Sequence, residues 1–423
     1  MAVVALALGS RGDVQPLAAL VAALSRTGID AVVACCADLV PVAESLGARA
    51  VGIPVDSREA ADLVRGRRGR AYARRPTAQA LALRTWVARI APAVARTALT
   101  VCAPGDVLLS GILTRDLATA LAEGRGCRPV TVLHTGQVPT AHRESHFGAQ
   151  WFRGIPAYDL WGARLGWRIA TGLGSPAARI VRAEYGLRHP RTLRTRTYAA
   201  DRHPTILAAS PLIVPPAPDW PAGVVQTGYL VPETIPDPGQ DGHPGSRSAI
   251  AAFLADGSPP VYVGFGSMSP LLGRDGTRLI LEAAALAGRR VITPAGADLA
   301  AGRQAPEVLA VDPVAHEWLL PRLAGTIHHG GAGTTWAAVR AGRPSVAVPF
   351  GVDQPYHAAR VHALGLGPAP VSIHDVTPSR LAHLLTDLTS GRYADRAATV
   401  GRRARAEDGI RTTVAALDRL GLL

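Results

Sequence analysis

Short, nearly continuous apolar runs alternate with helical patterns along this chain, and the whole series occurs twice. In the first series the run from Val3 to Leu8 is followed by the segment GSRGDVQ and then by a helical pattern from Pro16 to Ala23. The second series restarts with the run from Val261 to Phe265, which ends in Gly266 and Ser267. Strands that are apolar along their whole length are typical of parallel sheets covered by helices on both faces. The pattern therefore predicts an α/β protein with two doubly wound parallel-sheet domains.

A proline-rich segment separates the two series and sets the expected domain boundaries. We expect an N-terminal domain over residues 1–212, a linker over 213–245 and a C-terminal domain over 246–401. Residues 402–423 have a helical pattern, and we expect this helix to return to the N-terminal domain. In open α/β sheets ligands bind beyond the carboxyl ends of the strands. Two such domains therefore predict a ligand-binding cleft between them.

The chain contains arginine but no lysine, and this excludes two classes of enzyme. Its 423 residues include 45 basic and 32 acidic side chains, which give a formal net charge of +13. A Walker phosphate loop requires a lysine, and a pyridoxal phosphate enzyme requires one for its Schiff base. The arginine-dense stretches Arg65 to Arg75 and 189–196 would suit an acidic partner or a transient contact with an anionic membrane. Because no nucleic-acid-binding motif accompanies them, we expect no binding to nucleic acid.

Cysteine usage and the N-terminus indicate a cytoplasmic protein. The four cysteines have no metal-site spacing, and the N-terminus lacks the basic segment of a secretory signal. No uncharged apolar stretch is long enough to span a membrane. We therefore expect reduced thiols at Cys35, Cys36, Cys102 and Cys127.

The densest motif is TIHHGGAGTTWAAVRAGRPSVAVPFGVDQPYHAARV, which begins at Thr326. It predicts a strand that ends at His329, a glycine turn, and a helix that Thr334 opens. Small residues let the backbone approach an anion, and the N–H groups and dipole of a helix N-terminus favour negative charge. The ring of His329 and the hydroxyl of Thr334 could each donate a hydrogen bond to a phosphate oxygen. A plain structural turn would explain GGAG alone, but the composite motif favours a phosphate site without lysine.

Together with the preceding DPVAHEWLLPRLAG, this motif resembles the nucleotide-sugar-binding signature of inverting glycosyltransferases of the GT-B fold, which has two Rossmann-like domains that face each other across a cleft. The segments GSRGDVQPLAALVAAL and GFGSM make the sequence similar to the bacterial branch that glycosylates glycopeptide and polyketide aglycones, and to sterol glucosyltransferases. The resemblance covers nearly the whole chain, although 55–100 and 140–200 match only in character. It implies a UDP- or dTDP-sugar donor and antibiotic biosynthesis in a bacterium.

The resemblance also implies a role for individual residues of the donor site. His329 would contact the diphosphate, as would Ser267, while the backbone of Val314 would meet the pyrimidine base. Asp353 and Gln354 would hold sugar hydroxyls, for which a carboxylate beside an amide is well suited. The remaining implied donor residues are the amides of Gly331, Ala332, Gly333 and Thr334, together with Ser10 and Arg11 of the first glycine loop.

Inverting transfer needs a base for the acceptor hydroxyl, and Asp13 is the expected one because the antibiotic branch places an aspartate at this point of the motif. The alternative is that Asp13 only caps the helix that begins near Pro16. His134, which follows the apolar run VTVLHT, is the reserve base. We expect transfer without a metal or another cofactor, since no DxD motif occurs and the diphosphate charge can be met by His329, Arg11 and backbone amides.

The acceptor site is expected in the N-terminal domain and would include His134 and Thr135. An aromatic cluster from Phe147 through Trp151 to Trp167 predicts a wall for a large apolar acceptor, and an ordinary helical core is the alternative. The leading hypothesis is thus an inverting glycosyltransferase for a hydrophobic natural product, active as a monomer or homodimer. The alternatives are a sterol or lipid glucosyltransferase at a membrane surface and a non-catalytic nucleotide-sugar-binding auxiliary protein.

Overall fold

The computed structural model describes residues 1–59, 76–145, 152–188, 203–232, 244–266, 269–295, 299–312 and 314–423. Two compact units divide the chain. The first comprises Met1–Leu63, Thr77–Glu233 and Glu407–Leu423, and the second is built mainly from Thr234–Ala406.

The first unit contains a seven-stranded parallel sheet with the strand order β3-β2-β1-β4-β5-β6-β7. Its strands are β1 (Val3–Ala7), β2 (Ala31–Cys36), β3 (Ala50–Ile53), β4 (Val107–Ser110), β5 (Arg128–Leu133), β6 (Thr205–Leu207) and β7 (Val224–Gln226). Its helices are α1 (Arg11–Arg26), α2 (Val40–Ser45), α3 (Pro76–Val101), α4 (Arg115–Arg125), α5 (Pro156–Leu173), α6 (Ser175–Glu184) and the last helix of the chain, α14 (Gly409–Arg419).

The second unit contains a six-stranded sheet with the order β10-β11-β9-β8-β12-β13, parallel except for the edge strand β10. Its strands are β8 (Val261–Gly264), β9 (Val291–Pro294), β10 (Gly302–Ala305), β11 (Val308–Val311), β12 (Gly325–His328) and β13 (Ser345–Ala347). Its helices are α7 (Pro244–Ala255), α8 (Ser269–Ala287), α9 (His316–Leu319), α10 (Ala332–Ala341), α11 (Gln354–Ala363), α12 (Pro378–Leu388) and α13 (Ala394–Arg405).

Helix α1 illustrates how the sequence produces these layers. Val14, Leu17, Leu20, Val21 and Leu24 are all buried, and their spacing of three or four residues places them on one face of the helix. The helix begins at Arg11, five residues before the expected start, because Ser10 precedes it as the N-cap residue and Pro16 is accommodated inside it. Asp13 therefore lies in its first turn.

The proline-rich segment contributes to the first sheet, which differs from the expected linker over residues 213–245. Strand β7 pairs in parallel with β6, with Thr205 opposite Val224. The prolines from Pro215 to Pro221 precede this strand rather than interrupt it, and β7 is an edge strand, where a missing donor is tolerated. The first unit therefore extends beyond residue 212.

The C-terminal pattern forms two helices rather than one. Asp408 separates α13 from α14, and its carboxylate accepts a hydrogen bond of 3.0 Å from the Arg411 N–H. Ile410 and Leu417 of α14 pack in the core of the first unit. Thr413 donates a buried hydrogen bond of 2.7 Å to Thr227.

Two further expectations concern the chemistry of the surface and the core. Within the described ranges, no helix has the length and apolar composition needed to cross a membrane. All four cysteines are buried free thiols. The arginine stretches Arg65 to Arg75 and 189–196 lie outside the described residues.

Candidate functional site

The glycine turn joins β12 to α10. Gly330 has a φ of +89°, which lies in the left-handed region that glycine adopts without strain. Gly331 precedes the helix and has no side chain with which to cap it. The first intrahelical hydrogen bond is donated by Thr335 to the Gly331 carbonyl over 2.9 Å. The earlier amides, of Ala332, Gly333 and Thr334, have no intrahelical acceptor and are available to an anionic ligand.

The imidazole of His329 lies between two glycines. A Cβ on Gly331 would be 2.4 Å from Nε2 of the ring, and a Cβ on Gly266 would be 2.5 Å from Cε1. The ring thus occupies space that exists because both residues lack side chains. Its Nδ1 is buried and has no hydrogen-bond partner among the residues that the structure describes.

Burial also determines the charge of this ring. Desolvation lowers the pKa of His329 to about 4, and the nearby Asp353 carboxylate opposes that shift only in part. His329 is therefore neutral at pH 7 and can offer one N–H to a phosphate oxygen without carrying a full charge.

Two other histidines contact the turn through its backbone. The Gly330 N–H donates to Nδ1 of His328 over 3.1 Å, and Nδ1 of His357 is 2.8 Å from the Gly330 carbonyl oxygen. Both rings are almost completely buried. Another histidine of this unit, His316, has its Nε2 3.1 Å from the hydroxyl of Tyr262.

Asp353 and Gln354 stand at the start of α11, next to the turn. The Phe350 N–H donates to Oε1 of Gln354 over 2.8 Å, so the amide oxygen is held by the backbone of the preceding loop. A Cβ on Gly330 would be 2.9 Å from the Gln354 carbonyl oxygen. Oδ2 of Asp353 is 3.7 Å from Nδ1 of His357. The structure thus places the predicted sugar-binding pair beside the predicted diphosphate turn.

The structure says less about the two other predicted donor-binding residues of this unit, Val314 and Ser267. Val314 is half-buried between β11 and α9 and packs against the apolar cluster that contains Leu319 and Leu320. Ser267 lies outside the described residues.

The first glycine loop of the chain forms a helix cap. Asp13 Oδ2 accepts hydrogen bonds from the Ser10 N–H over 2.8 Å and from the Ser10 hydroxyl over 3.2 Å. A Cβ on Gly9 would be 2.3 Å from the same oxygen, so glycine is required there. Arg11 is exposed and its Nε donates to Gln15 over 3.1 Å. The capping interpretation of Asp13 therefore describes its geometry, and its role as a base stays a prediction.

His134 follows β5 and is the other predicted base. Both of its ring nitrogens are buried and lack a partner within the described part of the chain. Desolvation lowers its pKa to about 4, so the ring is neutral at pH 7. Its neighbour Thr135 is buried. In a neutral imidazole one nitrogen donates and the other accepts, so His134 has one unpartnered donor and one unpartnered acceptor within the described part of the chain.

The aromatic cluster divides into a buried part and an exposed part. Trp167 is fully buried, with the Arg115 guanidinium carbon 5.4 Å from the centre of its ring. Tyr158 and Trp161 on α5 are 40% and 57% exposed, and their ring centres are 6.1 Å apart. Phe147 and Trp151 lie outside the described residues. Trp167 therefore belongs to the core, while the exposed pair is available to a ligand.

Sequence reasoning missed three residues of this site. The sequence marks Gly266 only as the end of a strand, although its φ of +56° and missing side chain make room for His329. His357 has an ordinary position in a helical pattern, so no local signal distinguishes it. Val352 has a φ of +59° and is 79% exposed, a strained conformation for a β-branched residue beside Asp353.

Comparison with solved structures identifies the architecture. The glycosyltransferase VinC, solved in complex with dTDP, superposes on 99% of this chain and 99% of its own length, with a TM-score of 0.63 and 20% identity. The chain has the GT-B fold. This confirms the fold class that the alternating pattern predicted, and 20% identity shows the fold alone.

Sequence comparisons confirm the resemblance that the motifs carry. Residues 277–415 match the family described as erythromycin biosynthesis protein CIII-like, C-terminal domain. The matched residues include the glycine turn at Gly330 and Gly331. The vancomycin aglycone glucosyltransferase of Amycolatopsis orientalis is 39% identical over 209 residues, 48% of this chain and 48% of the relative. A sterol 3-beta-glucosyltransferase of Arabidopsis thaliana is 32% identical over 209 residues, 49% of this chain and 32% of the relative. The matched region thus spans half or less of these relatives.

Proposed function

We propose that this chain transfers a sugar from a nucleoside diphosphate sugar to a hydroxyl of a hydrophobic natural product. The observation that carries the proposal is the turn at Gly330 and Gly331. Its uncapped helix N-terminus and the buried, neutral ring of His329 offer hydrogen-bond donors but no counter-charge. Such a site suits a diphosphate that must be bound and then stabilised as a leaving group.

The proposed donor is a dTDP- or UDP-sugar. VinC binds dTDP, and the vancomycin relative is named as a glucosyltransferase. In this proposal Val314 meets the pyrimidine through its backbone, while Ser267, Ser10 and Arg11 add contacts to the diphosphate. Asp353 is half-buried beside the turn, where its carboxylate can accept from sugar hydroxyls.

The proposed chemistry is a single displacement that inverts the anomeric carbon. A base removes the proton from the acceptor hydroxyl, the hydroxyl oxygen forms a bond to the anomeric carbon, and the bond to the diphosphate oxygen breaks. Asp13 is the proposed base, with His134 in reserve. The turn amides and His329 receive the negative charge of the leaving diphosphate, so the proposal needs no metal or other cofactor.

The proposed acceptor is apolar and is bound by the first unit. In this proposal the accepting nitrogen of His134 receives a hydrogen bond from the acceptor hydroxyl, and the exposed rings of Tyr158 and Trp161 offer apolar contact. Thr135, Phe147 and Trp151 belong to the same proposed acceptor site. We propose that the reaction takes place in the cytoplasm.

A sterol or lipid acceptor at an anionic membrane is the second candidate, and the similarity to the Arabidopsis sterol enzyme supports it. Incubation with a dTDP- or UDP-sugar and separate panels of aglycones and sterols, followed by mass spectrometry, distinguishes the two. Sedimentation with anionic liposomes adds an independent test, because the second candidate requires the chain to bind them.

Titration calorimetry with dTDP and UDP tests the donor site directly. We expect binding by the unmodified chain and by His374→Ala, a change at an exposed histidine of the same unit. His329→Ala should weaken it by about ten- to a hundredfold, since a hydrogen bond to a charged group contributes about 1.5–3 kcal/mol. If neither nucleotide binds at millimolar concentration, the proposed function is wrong. If nucleotides bind but no sugar is transferred, the non-catalytic auxiliary protein becomes the better description.

A further inference from the structure

His357 contacts the backbone of the glycine turn from a different secondary-structure element. Its Nδ1 is 2.8 Å from the Gly330 carbonyl oxygen, and its side chain is 1% exposed. A carbonyl oxygen only accepts hydrogen bonds, so Nδ1 must carry the hydrogen. This contact links the first two turns of α11 to the loop before α10.

The contact determines where the next amide points. The peptide bond between Gly330 and Gly331 is trans, so its C=O and N–H are directed to opposite sides. Because His357 holds the carbonyl, the Gly331 N–H is directed away from His357. That N–H is the first of the amides assigned to the diphosphate.

His328 fixes the preceding peptide in the same way. The Gly330 N–H donates to its Nδ1 over 3.1 Å, so both peptide groups that flank the Gly330 Cα are held by buried rings. Glycine has no side-chain restraint on its backbone, and the φ of +89° is one of several conformations open to it. The two imidazoles therefore supply the restraint that the glycines lack.

His357 also lies beside the residue assigned to the sugar. Its Nδ1 is 3.7 Å from Oδ2 of Asp353, and its backbone N–H donates to the Asp353 carbonyl over 3.2 Å. One side chain thus contacts both parts of the proposed donor site.

We propose that His357 is a positioning residue that directs the Gly331 amide toward the diphosphate of the donor by holding the Gly330 carbonyl. This inference rests on the proposed function, since it concerns the same nucleotide site. It adds a residue that touches no substrate atom.

The test compares three replacements of His357 in the full chain by titration with dTDP and with UDP. An asparagine places an N–H donor where Nδ1 stands, a glutamine places its donor one methylene farther out, and a leucine has none. We expect His357→Asn to bind within about twofold of the unmodified chain. His357→Leu and His357→Gln should bind about tenfold more weakly, the loss that one hydrogen bond of about 1.4 kcal/mol represents.

A matched control is available on the same helix. Nδ1 of His362 is 3.2 Å from the Gly367 carbonyl oxygen, the same type of contact away from the turn. His362→Leu should leave nucleotide binding unchanged. If it weakens binding as much as His357→Leu does, the effect comes from the stability of α11 and the positioning role is wrong.

The remaining outcomes separate this inference from the proposed function. If the unmodified chain binds neither nucleotide, the proposed function itself fails. If it binds and all three His357 variants bind equally well, the proposed function stands and the positioning role is overturned. Should His357→Leu fail to fold, the contrast between asparagine and glutamine decides, because both are amides and asparagine, the poorer helix former, is the one expected to keep binding.

Discussion

The substitution Gly331→Ala adds one atom, a Cβ, to the glycine turn and so tests how closely the ring of His329 packs against it. The added Cβ would stand 2.4 Å from Nε2 of His329, whereas ordinary contact begins at 3.4 Å, so the ring would have to move by about 1 Å. The ring cannot move freely toward Gly266 because it already lies against that residue: a Cβ added to Gly266 would be only 2.5 Å from Cε1 of the ring. The backbone itself accepts alanine, since φ at Gly331 is −62°.

The expected effects on folding and on function therefore differ in size. Overpacking costs about 1–3 kcal/mol, and the reduced freedom of the unfolded chain offsets about 0.4–1 kcal/mol of it. We expect the melting temperature to fall by less than about 10 °C. A displacement of about 1 Å at a group that positions the substrate costs about 10²-fold in kcat/KM.

Calorimetry with dTDP or UDP, scanning fluorimetry and a transfer assay measure these effects on one preparation. Gly111→Ala is the control for the general effect of replacing glycine by alanine, because a Cβ at Gly111 meets no atom within 4 Å. Unchanged nucleotide affinity in Gly331→Ala would refute the reasoning, since it would mean that the ring of His329 does not border the ligand.

Single side chains at positions 13, 329, 35 and 102 can each be tested by replacement or chemical labelling. Asp13→Asn keeps an oxygen for the Ser10 N–H but removes the base, so turnover should fall by about 10²–10⁴-fold at unchanged melting temperature; full activity would leave Asp13 as a helix cap only. The pKa of His329 is about 4 in the folded chain and 6.5 when unfolded, so the unfolded state binds more protons between these values. Its contribution to the free energy of unfolding, on the order of 3 kcal/mol, is therefore complete above pH 6.5 and is lost as the pH falls toward 4. Urea unfolding at several pH values should show that the free energy of unfolding falls more steeply between pH 6.5 and 4 in the unmodified chain than in His329→Gln. Burial raises the pKa of Cys35 and Cys102 to about 12, so a thiol reagent at pH 8 should label neither until the chain unfolds; rapid labelling of the folded chain would contradict their burial.

The parts of the fold that the sequence predicts well are the strongly apolar ones. Strands β1, β8 and β12 are continuous buried runs followed by glycine loops, and each occurs where the pattern indicates. Strands β3, β7 and β10 have no such signal; each is three or four residues long and lies at a sheet edge. Short edge strands are stabilised by the neighbour with which they pair, so their own sequence carries little signal.

The candidate site divides in a similar way. The turn itself is visible in the sequence because glycine and small residues are required wherever a backbone approaches a ligand. The partners of the turn are not visible, because His357 lies 27 residues from Gly330 and only the packing of α11 brings the two together. For Asp13 the sequence motif and the structure point to different roles. Its position in the motif suggests a base, while its two hydrogen bonds from Ser10 belong to a cap.

In the proposed donor site, neutral backbone amides and the neutral ring of His329 contribute to stabilising the leaving diphosphate, together with the charged Arg11. Hydrogen bonds from amides strengthen as negative charge builds up on the phosphate oxygens, so they favour the transition state over the bound donor. Burial keeps His329 neutral in the empty site, and the charge of a bound diphosphate would raise the pKa of its ring. Burial thus leaves the ring of His329 as a neutral hydrogen-bond donor, which makes its burial part of the proposed chemistry rather than a by-product of packing.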